Sequence, residues 1–297
     1  MKNYVAIDIG GTMIKYGLLN AEGHILEKHK IATEAEQGGP GIMSKVMGII
    51  NRFSQTQTLS GICLSSAGMV DPEKGEIFFS GPTIPNYAGT QFKTVLEEKY
   101  GIPCEIENDV NCAGLAEVVS GNAKGSQITL CLTIGTGIGG CLLTESEVFH
   151  GYSNSACEIG YLPMEKGNFQ ELASTTTLVK NTAKAHNNSL SEWNGYRVFE
   201  EAKAGNTLCI EAIDEMVRYL GQGIATICYV VNPQTVVLGG GIMGQKEYLK
   251  EKIESSLKEH LLPSLSEKTT LVFAHHENDA GILGAFYHFM NVHPEGV

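Results

Sequence analysis

The sequence predicts an α/β protein of two lobes, because one order of elements occurs twice along its 297 residues. An apolar strand opens each copy, at 4–9 and 128–134, and a glycine-rich turn follows each strand. The chain then returns in an antiparallel strand. Turns that face each other from two lobes would border a cleft, and clefts are favoured ligand sites. We therefore expect the functional site in the interlobe cleft.

In the first copy, a three-stranded meander precedes alternating helices and strands. Apolar residues at helical spacing predict the helix at 42–53, for example. The predicted elements are strands at 4–9, 13–19 and 24–30, a helix at 42–53, a strand at 59–64, a helix at 92–100, a strand that stops at Asn108-Asp109, and a helix from 110 to about 120.

The second copy repeats this order with little sequence identity to the first. Its long helix, marked by apolar residues through 210–227, ends at Asn232-Pro233, because the residue before a proline disfavours the helical conformation. The other predicted elements are strands at 128–134, 141–144, 148–150, 235–238 and 271–274, and helices at 248–262 and 279–292. We assign 1–118 with 279–297 to the first lobe and 119–278 to the second.

Composition excludes several classes of partner. The formal net charge of -12 argues against nucleic acid and anionic membranes. No apolar run approaches the roughly 20 residues that span a bilayer, and no secretory signal precedes the first strand. The eight cysteines include no CxxC pair, which is typical of a reducing compartment. We therefore expect a cytoplasmic protein.

The two glycine-rich turns, Asp8-Ile9-Gly10-Gly11-Thr12 and 133–140, have the composition of phosphate-binding loops. Glycine lets the backbone approach an anion, and successive N–H groups in such a turn form a concave anion site. Neither turn is a Walker loop or a dinucleotide fingerprint. A tight hairpin is the alternative for either turn alone, but their matched positions favour phosphate binding. The residues expected at the phosphates are Gly10, Gly11, Thr12, Lys15, Gly135, Thr136, Gly137 and Gly139.

Asp8 ends the first strand beside the first turn, where a carboxylate would repel a phosphate unless a cation lay between them. We therefore predict that Asp8 contacts Mg²⁺, through water. A third glycine run at 239–241 follows a later strand, and Gly240 and Gly241 would allow close approach of an adenine or ribose. Close packing of a helix on that strand is the alternative explanation.

Asp109 lies where a predicted strand ends and a predicted helix begins. Such a junction can hold a carboxylate in a cleft, where it would act as a catalytic base. Asp is also a favoured helix N-cap, so a purely structural role is the alternative. The two glycine-rich turns elsewhere in the chain favour the catalytic role.

Together these motifs resemble the ROK sugar kinases, which share their fold with actin, hexokinase and the heat-shock ATPases. The resemblance runs from 8–12 to 279–285, and its most specific parts are 107–112, 134–140 and 158–160. It implies two ribonuclease-H-like lobes. It also implies transfer of the γ-phosphoryl group of ATP to a sugar hydroxyl, usually the 6-OH.

The resemblance assigns roles residue by residue. Asp109 would take the proton from the attacking hydroxyl, and Asn108 would bond the neighbouring hydroxyl. Gly68, through its backbone, and Asn86 would line the sugar pocket. The two residues expected at the far edge of the sugar ring are Glu158 and Glu171.

One departure from the family pattern concerns zinc. Most members have a histidine where this chain has Tyr161, and a cysteine-rich loop that binds structural zinc with it. Here the following segment, 163–170, contains no cysteine, so we expect no zinc. Tyr161 and the ending at 278–289 resemble the bacterial β-glucoside kinases. Tyr161 also offers a flat apolar face on which a second sugar ring could stack.

The expected acceptor is therefore a β-glucoside such as cellobiose, with glucose and N-acetylmannosamine as alternatives. A ROK transcriptional repressor is a rival, but its winged-helix domain would precede Asp8, and the acidic charge disfavours DNA. A sugar-binding regulator without catalysis is a second rival, which the intact Asp109 argues against. Family members often form dimers, so the resemblance leaves a homodimer open.

Overall fold

The computed structural model describes residues 2–81 and 83–294, so Met1, Pro82 and 295–297 of the predicted lobes lie outside the described residues. The chain divides into two compact units. The first comprises the residues up to Val119, His150–Ser155 and the residues from Asn278 on; the second comprises Ser120–Phe149 and Ala156–Glu277. His150–Ser155, which the sequence prediction placed in the second lobe, groups with the first unit. Contacts of His150 with Glu107 and of Ser155 with Met69 explain this grouping.

The first unit is built on a five-stranded sheet with the order β3-β2-β1-β4-β7, and a separate hairpin pairs β5 with β6. Its strands are β1 (Asn3–Ile9), β2 (Met13–Asn20), β3 (Ile25–Ala32), β4 (Leu59–Ser66), β5 (Met69–Asp71), β6 (Glu76–Phe79) and β7 (Cys104–Asn108). Its helices α1 to α3 are α1 (Gly38–Ser54), α2 (Phe92–Tyr100) and α3 (Asp109–Ser120). The last helix of the chain, α10 (Ala280–Val292), also belongs to this unit.

Alternation along β1 separates two cores. Val5, Ile7 and Ile9 share a core with residues of α1 and α2, whereas Tyr4 and Ala6 share one with residues of α3 and α10. Successive side chains of a strand point to opposite faces, so Asp8 belongs to the face that α3 and α10 cover. This register places a carboxylate next to the N-terminus of α10.

The second unit repeats the strand order as β10-β9-β8-β13-β14. Its strands are β8 (Ile128–Ile134), β9 (Ile138–Thr144), β10 (Glu147–Val148), β11 (Pro163–Met164), β12 (Gly167–Asn168), β13 (Thr235–Gly239) and β14 (Thr270–Phe273). Its helices are α4 (Phe169–Ala173), α5 (Thr175–Ala185), α6 (Gly195–Lys203), α7 (Thr207–Val231), α8 (Lys246–His260) and α9 (Pro263–Ser266). The predicted α/β class with a repeated order of elements is therefore confirmed.

Two local differences from the sequence prediction matter for the site. Gly139, expected in the phosphate turn, lies inside β9, where it pairs with Thr133 of β8. The second turn is therefore shorter than predicted and consists of 135–137. The β5–β6 hairpin was not predicted, and it follows Gly68 directly. Within the described residues, no helix combines the length and apolarity needed to cross a membrane.

Candidate functional site

The Asp8 carboxylate lies in a largely buried polar pocket of the first unit. Ser65 Oγ donates a hydrogen bond to Asp8 Oδ1 at 2.8 Å, and Lys15 Nζ lies 3.7 Å from Oδ2. Burial raises the pKa of Asp8, against the lowering effects of Ser65 and Lys15. A Cβ on Gly281 would come within 2.3 Å of Asp8 Cγ, so glycine is required where α10 meets this carboxylate. The protein thus tolerates an acid in a place that disfavours its charge.

The first glycine turn connects β1 to β2 beside Asp8. The Gly10 N–H donates to Met13 O at 3.1 Å, and Thr33 Oγ1 donates to Gly10 O at 2.7 Å. A Cβ on Gly11 would lie 2.6 Å from the Thr83 side chain. Thr12 at the tip is exposed. Thr33 and Thr83 therefore contact the turn and keep its backbone fixed, while its tip remains open to solvent.

The junction between β7 and α3 is capped by Asn108. Asn108 Oδ1 accepts the backbone N–H groups of Val110 at 2.9 Å and Asn111 at 3.2 Å, which is the N-cap arrangement. Asp109 is the first residue of α3, and its Oδ1 accepts the N–H of Val110 at 2.9 Å. The structural role that sequence offered to Asp109 is therefore filled mainly by its neighbour.

The buried thiol of Cys112 senses the charges of three carboxylates of the first unit. Burial raises the pKa of this thiol, and the charges of Glu107, Asp8 and Asp109 raise it further. Asp8 is the last residue but one of β1 and Asp109 follows β7, yet the charges of both act on this one buried thiol. The sheet order therefore brings the predicted magnesium contact and the predicted base to one region.

Gly68 and Asn108 are joined directly. Asn108 Nδ2 donates to Gly68 O at 2.9 Å, and Gly68 adopts a φ of 95° that a side chain would strain. Asn86 lies in a loop against the start of α1, where its carbonyl accepts the Gly39 N–H at 3.3 Å. Next to it, burial raises the pKa of Tyr87, and the charge of Asp109 adds to this rise. Gly68 and Asn108 thus meet at the junction, whereas Asn86 contacts the start of α1.

In the second unit, the short turn at 135–137 is held by neighbouring elements. The Gly135 N–H donates to Gly137 O at 2.9 Å, and the N–H of Thr175 donates to Gly135 O at 2.9 Å. A Cβ on Gly137 would lie 2.5 Å from Gln170 Oε1. Thr136 is exposed at the tip, as Thr12 is in the first turn.

A cavity of about 520 Å³ opens beside this turn. Gly241 lines it, whereas Gly240 has a φ of 101° and would place a Cβ 2.2 Å from Ile134 O. Gly240 is therefore packed against the backbone of β8, whereas Gly241 faces the cavity. The lining residues are Gly135, Thr136, Thr175, Thr176, Val179, Leu190, Trp193, Asn194, Gly195, Tyr196, Phe199, Gly241, Ile242 and Gln245.

Sequence reasoning missed the aromatic part of this cavity. Trp193 is only 6% exposed, the Arg197 guanidinium lies 4.6 Å from its ring centroid, and His186 packs on it at 4.6 Å. Tyr196 is 69% exposed on the same lining. The only tryptophan in the chain was a signal, because Trp193, Tyr196 and Phe199 place three aromatic side chains at intervals of three residues in a mostly polar stretch.

The predicted distal sugar ligands lie in a loop-rich part of the second unit. Burial raises the pKa of Glu158, which precedes the short 3₁₀ helix Ile159–Tyr161 and makes no side-chain capping bond to it. Tyr161 is 60% exposed. Glu171 forms a capping box with Asn168: its Oε2 accepts the Asn168 N–H at 3.0 Å, and Asn168 Oδ1 accepts the Glu171 N–H at 3.0 Å. One carboxylate oxygen of Glu171 is thus engaged in helix capping.

The surroundings of Asp8 fit a hydrated Mg²⁺ ion. A buried carboxylate whose charge is disfavoured is stabilised by a cation, and Mg²⁺ prefers one or two carboxylates together with waters and phosphate oxygens. Across 2–81 and 83–294, no group of three or more His, Cys, Asp or Glu side chains is arranged to hold a metal ion.

Comparison with known proteins shows the family of this chain. The ROK family matches residues 4–291. An uncharacterized protein of Clostridium perfringens is 46% identical over 96% of this chain and 97% of its own length. A beta-glucoside kinase of Listeria monocytogenes is 32% identical over 96% of each chain. A ROK family glucokinase from Streptomyces griseus, solved with glucose and AMPPNP, superposes with a TM-score of 0.82 at 25% identity, covering 95% of this chain and 97% of its own.

Proposed function

Because the chain belongs to the ROK family, we propose that it is an ATP-dependent sugar kinase that phosphorylates the 6-OH of a β-glucoside such as cellobiose. The observation that carries this proposal is the β7–α3 junction. There Asn108 caps the helix, so Asp109 is placed at the first helical position without being the main cap. This position leaves the Asp109 carboxylate available to take a proton from an acceptor hydroxyl.

Asp109 would act as the general base. Its carboxylate would take the proton of the 6-OH while that oxygen bonds to the γ-phosphorus and the bond from phosphorus to the β,γ-bridging oxygen breaks. The products are ADP and a sugar 6-phosphate. A base of this kind contributes roughly 10²–10⁴ to the rate.

Asn108 would orient the acceptor. An asparagine amide has two N–H donors, and only one of them is needed for the bond to Gly68 O. The other can donate to the hydroxyl next to the reacting one. Gly68 and Asn86 would complete this side of the sugar, and Glu158, Tyr161 and Glu171 would contact its other edge, as the family resemblance implies.

The nucleotide would be held mainly by the second unit. The cavity beside Thr136 and Gly241 has the volume and the aromatic lining of an adenosine site. The N–H groups of both glycine turns would contact the phosphates, with Lys15 adding charge in the first unit. Mg²⁺, held through water at Asp8, would neutralise phosphate charge when bound.

Two features support a β-glucoside as acceptor. The relative from Listeria monocytogenes is named as a beta-glucoside kinase, and Tyr161, standing where most of the family has a zinc-binding histidine, is exposed and can stack on a second sugar ring. Glucose and N-acetylmannosamine are the alternative acceptors within the same family. A sugar-binding regulator without turnover is the alternative from another class.

A coupled assay of ADP release with a sugar panel tests the proposal. At equal sub-saturating concentrations, we expect cellobiose and an aryl β-glucoside to give the highest kcat/KM. A tenfold preference for either free hexose, ~1.4 kcal/mol in transition-state binding, would refute the β-glucoside assignment but keep the kinase. Absence of sugar-dependent ADP release across the panel would favour the regulator.

The metal requirement gives a second test of the same assignment. Activity should disappear when Mg²⁺ is withheld and return when it is added. A zinc-selective chelator should leave the rate unchanged, because the segment after Tyr161 supplies no thiolate. Elemental analysis that finds about one zinc per chain would contradict this expectation.

A further inference from the structure

Glu107 is a buried carboxylate directly behind the junction that carries Asn108 and Asp109. Its side chain is fully inaccessible to solvent, and each of its two oxygens has a different set of partners. Oε1 accepts the backbone N–H of Asn108 at 2.6 Å and the side-chain amide of Asn111 at 2.9 Å. This oxygen therefore serves the junction itself.

The second oxygen faces two histidines from other parts of the first unit. His150 Nε2 lies 2.6 Å from Glu107 Oε2, and His288 Nδ1 of α10 lies 3.8 Å from it. His150 is part of the short segment His150–Ser155 that follows β10 in the chain but packs with the first unit. A single carboxylate thus links this segment to the strand end.

The hydrogen bonds among Glu107, Asn108 and Asn111 form a closed ring. Glu107 fixes the Asn108 N–H and the Asn111 side chain, while Asn108 Oδ1 accepts the Asn111 N–H. Most buried polar groups in proteins are hydrogen-bonded, and a connected network of such bonds favours one backbone conformation. The orientation of Asp109 at the start of α3 depends on that conformation.

The charge of Glu107 has an identifiable counterion. Burial opposes its ionisation, but the hydrogen bond from His150 and the nearby histidines hold the pKa of Glu107 below its ordinary value. The same bond raises the pKa of His150, and Glu73 adds to that rise. Burial lowers the pKa of His288, although the charges of Glu107 and Glu105 oppose this, whereas those of His150 and Lys93 reinforce it.

We propose that Glu107 and His150 are positioning residues, which hold the Asn108–Asp109 junction in the geometry that presents the acceptor hydroxyl to the base. The inference rests on the proposed kinase function but concerns residues that do not contact the substrate. Glu107 acts through hydrogen bonds to the junction, and His150 acts by neutralising and orienting Glu107.

The first unit offers a matched control. Glu105 lies two residues earlier on β7, so its side chain points to the same face of the sheet, and it is equally buried at 2% exposure. It pairs with Lys93 at 2.8 Å and His293 at 2.9 Å, away from Asn108. Glu105→Gln should therefore cost stability without changing the junction.

The experiment compares Glu107→Gln with Glu105→Gln. We expect both to lower Tm, but only Glu107→Gln to lower kcat/KM for the sugar at least tenfold, with KM for ATP unchanged. Amide hydrogen exchange at 108–111 should be at least tenfold faster in Glu107→Gln than in Glu105→Gln. The exchange readout does not require turnover, so it decides even if the kinase assignment fails.

His150→Gln provides an independent arm, because this residue is partly exposed and its replacement is expected to fold. The ion pair is complete at pH values above the lowered pKa of Glu107 and below the raised pKa of His150, and it is lost as pH rises through the pKa of His150. Wild-type kcat/KM should therefore fall on the alkaline side over this range, and His150→Gln should lack this limb. The inference is overturned if Glu107→Gln matches Glu105→Gln in sugar kinetics and exchange, or if His150→Gln keeps the wild-type pH profile.

Discussion

The two units share one strand order but differ in what they bury. The first unit buries Glu105, Glu107, Glu117 and His288, whereas the buried polar side chains described in the second unit all belong to serine and threonine. Burying charge is costly unless each group is paired, and the first unit supplies partners such as His150 and Lys93. The repeated architecture therefore carries two different kinds of interior.

The ends of the corresponding strands show the same contrast. The last residue but one of β1 is Asp8, while its counterpart in β8 is Thr133. The fifth strand of the first sheet leads into Asn108-Asp109, while that of the second leads into Ala274 and His275. Under the proposed function, proton transfer and metal contact would belong to the first unit, whose interior holds paired charges, and the nucleotide would occupy the cavity of the second unit. Three variants can break or sharpen this comparison.

The largest effect is expected for Asp109→Asn in the first unit. Its kcat should fall by roughly 10²–10⁴, because asparagine cannot take a proton from the acceptor hydroxyl. Stability should change little, because Asn108 provides the main cap of α3 and remains in place. Steady-state kinetics and thermal melts measure the two quantities. If the variant keeps wild-type turnover, Asp109 is not the base and has only a structural role.

A smaller effect is expected for Tyr196→Ala in the second unit. Removing an aromatic wall of the cavity should raise KM for ATP about tenfold, ~1.4 kcal/mol, and leave KM for the sugar unchanged. Tyr229→Ala is the control, because Tyr229 is another exposed tyrosine of the same unit that is not among the residues lining the cavity. Equal changes of KM for ATP in the two variants would show that the cavity does not bind the nucleotide.

The smallest effect concerns stability. The pKa of Asp8 is raised in the folded state, so its ionised form opposes folding, and that cost grows as pH rises above the ordinary carboxyl pKa. Asp8→Asn should therefore raise Tm by a few degrees at pH 7, with no gain at pH 3, while it weakens the Mg²⁺ dependence of activity. A lower Tm at pH 7 would show that Lys15 and Ser65 outweigh burial.

Much of the fold could be predicted from the sequence, because apolar periodicity and glycine turns are local signals. The order of strands and helices and the family followed from them, and Asp109 was identified at the strand end. The choice of cap was harder to predict, since Asn108 and Asp109 are both good caps and a shift of one residue in the helix start decides between them.

Other features depend on contacts between residues far apart in the chain. His150 contacts Glu107, which lies 43 residues earlier in the chain, and no local sequence pattern predicts that pairing. Gly139 has the composition of a turn residue, yet pairing with Thr133 places it in a strand. The cavity around Trp193 is assembled from α5, α6 and the turn after β8, so its shape appears only once the second unit is folded.

The separation of roles between the two units is tested most directly by calorimetric titration of Asp109→Asn with AMPPNP. We predict a Kd within about twofold of wild type, although turnover is lost, because the proposed function assigns nucleotide binding mainly to the cavity and turn of the second unit. A Kd more than tenfold weaker would contradict it, since the carboxylate at the start of α3 would then be needed for nucleotide binding itself.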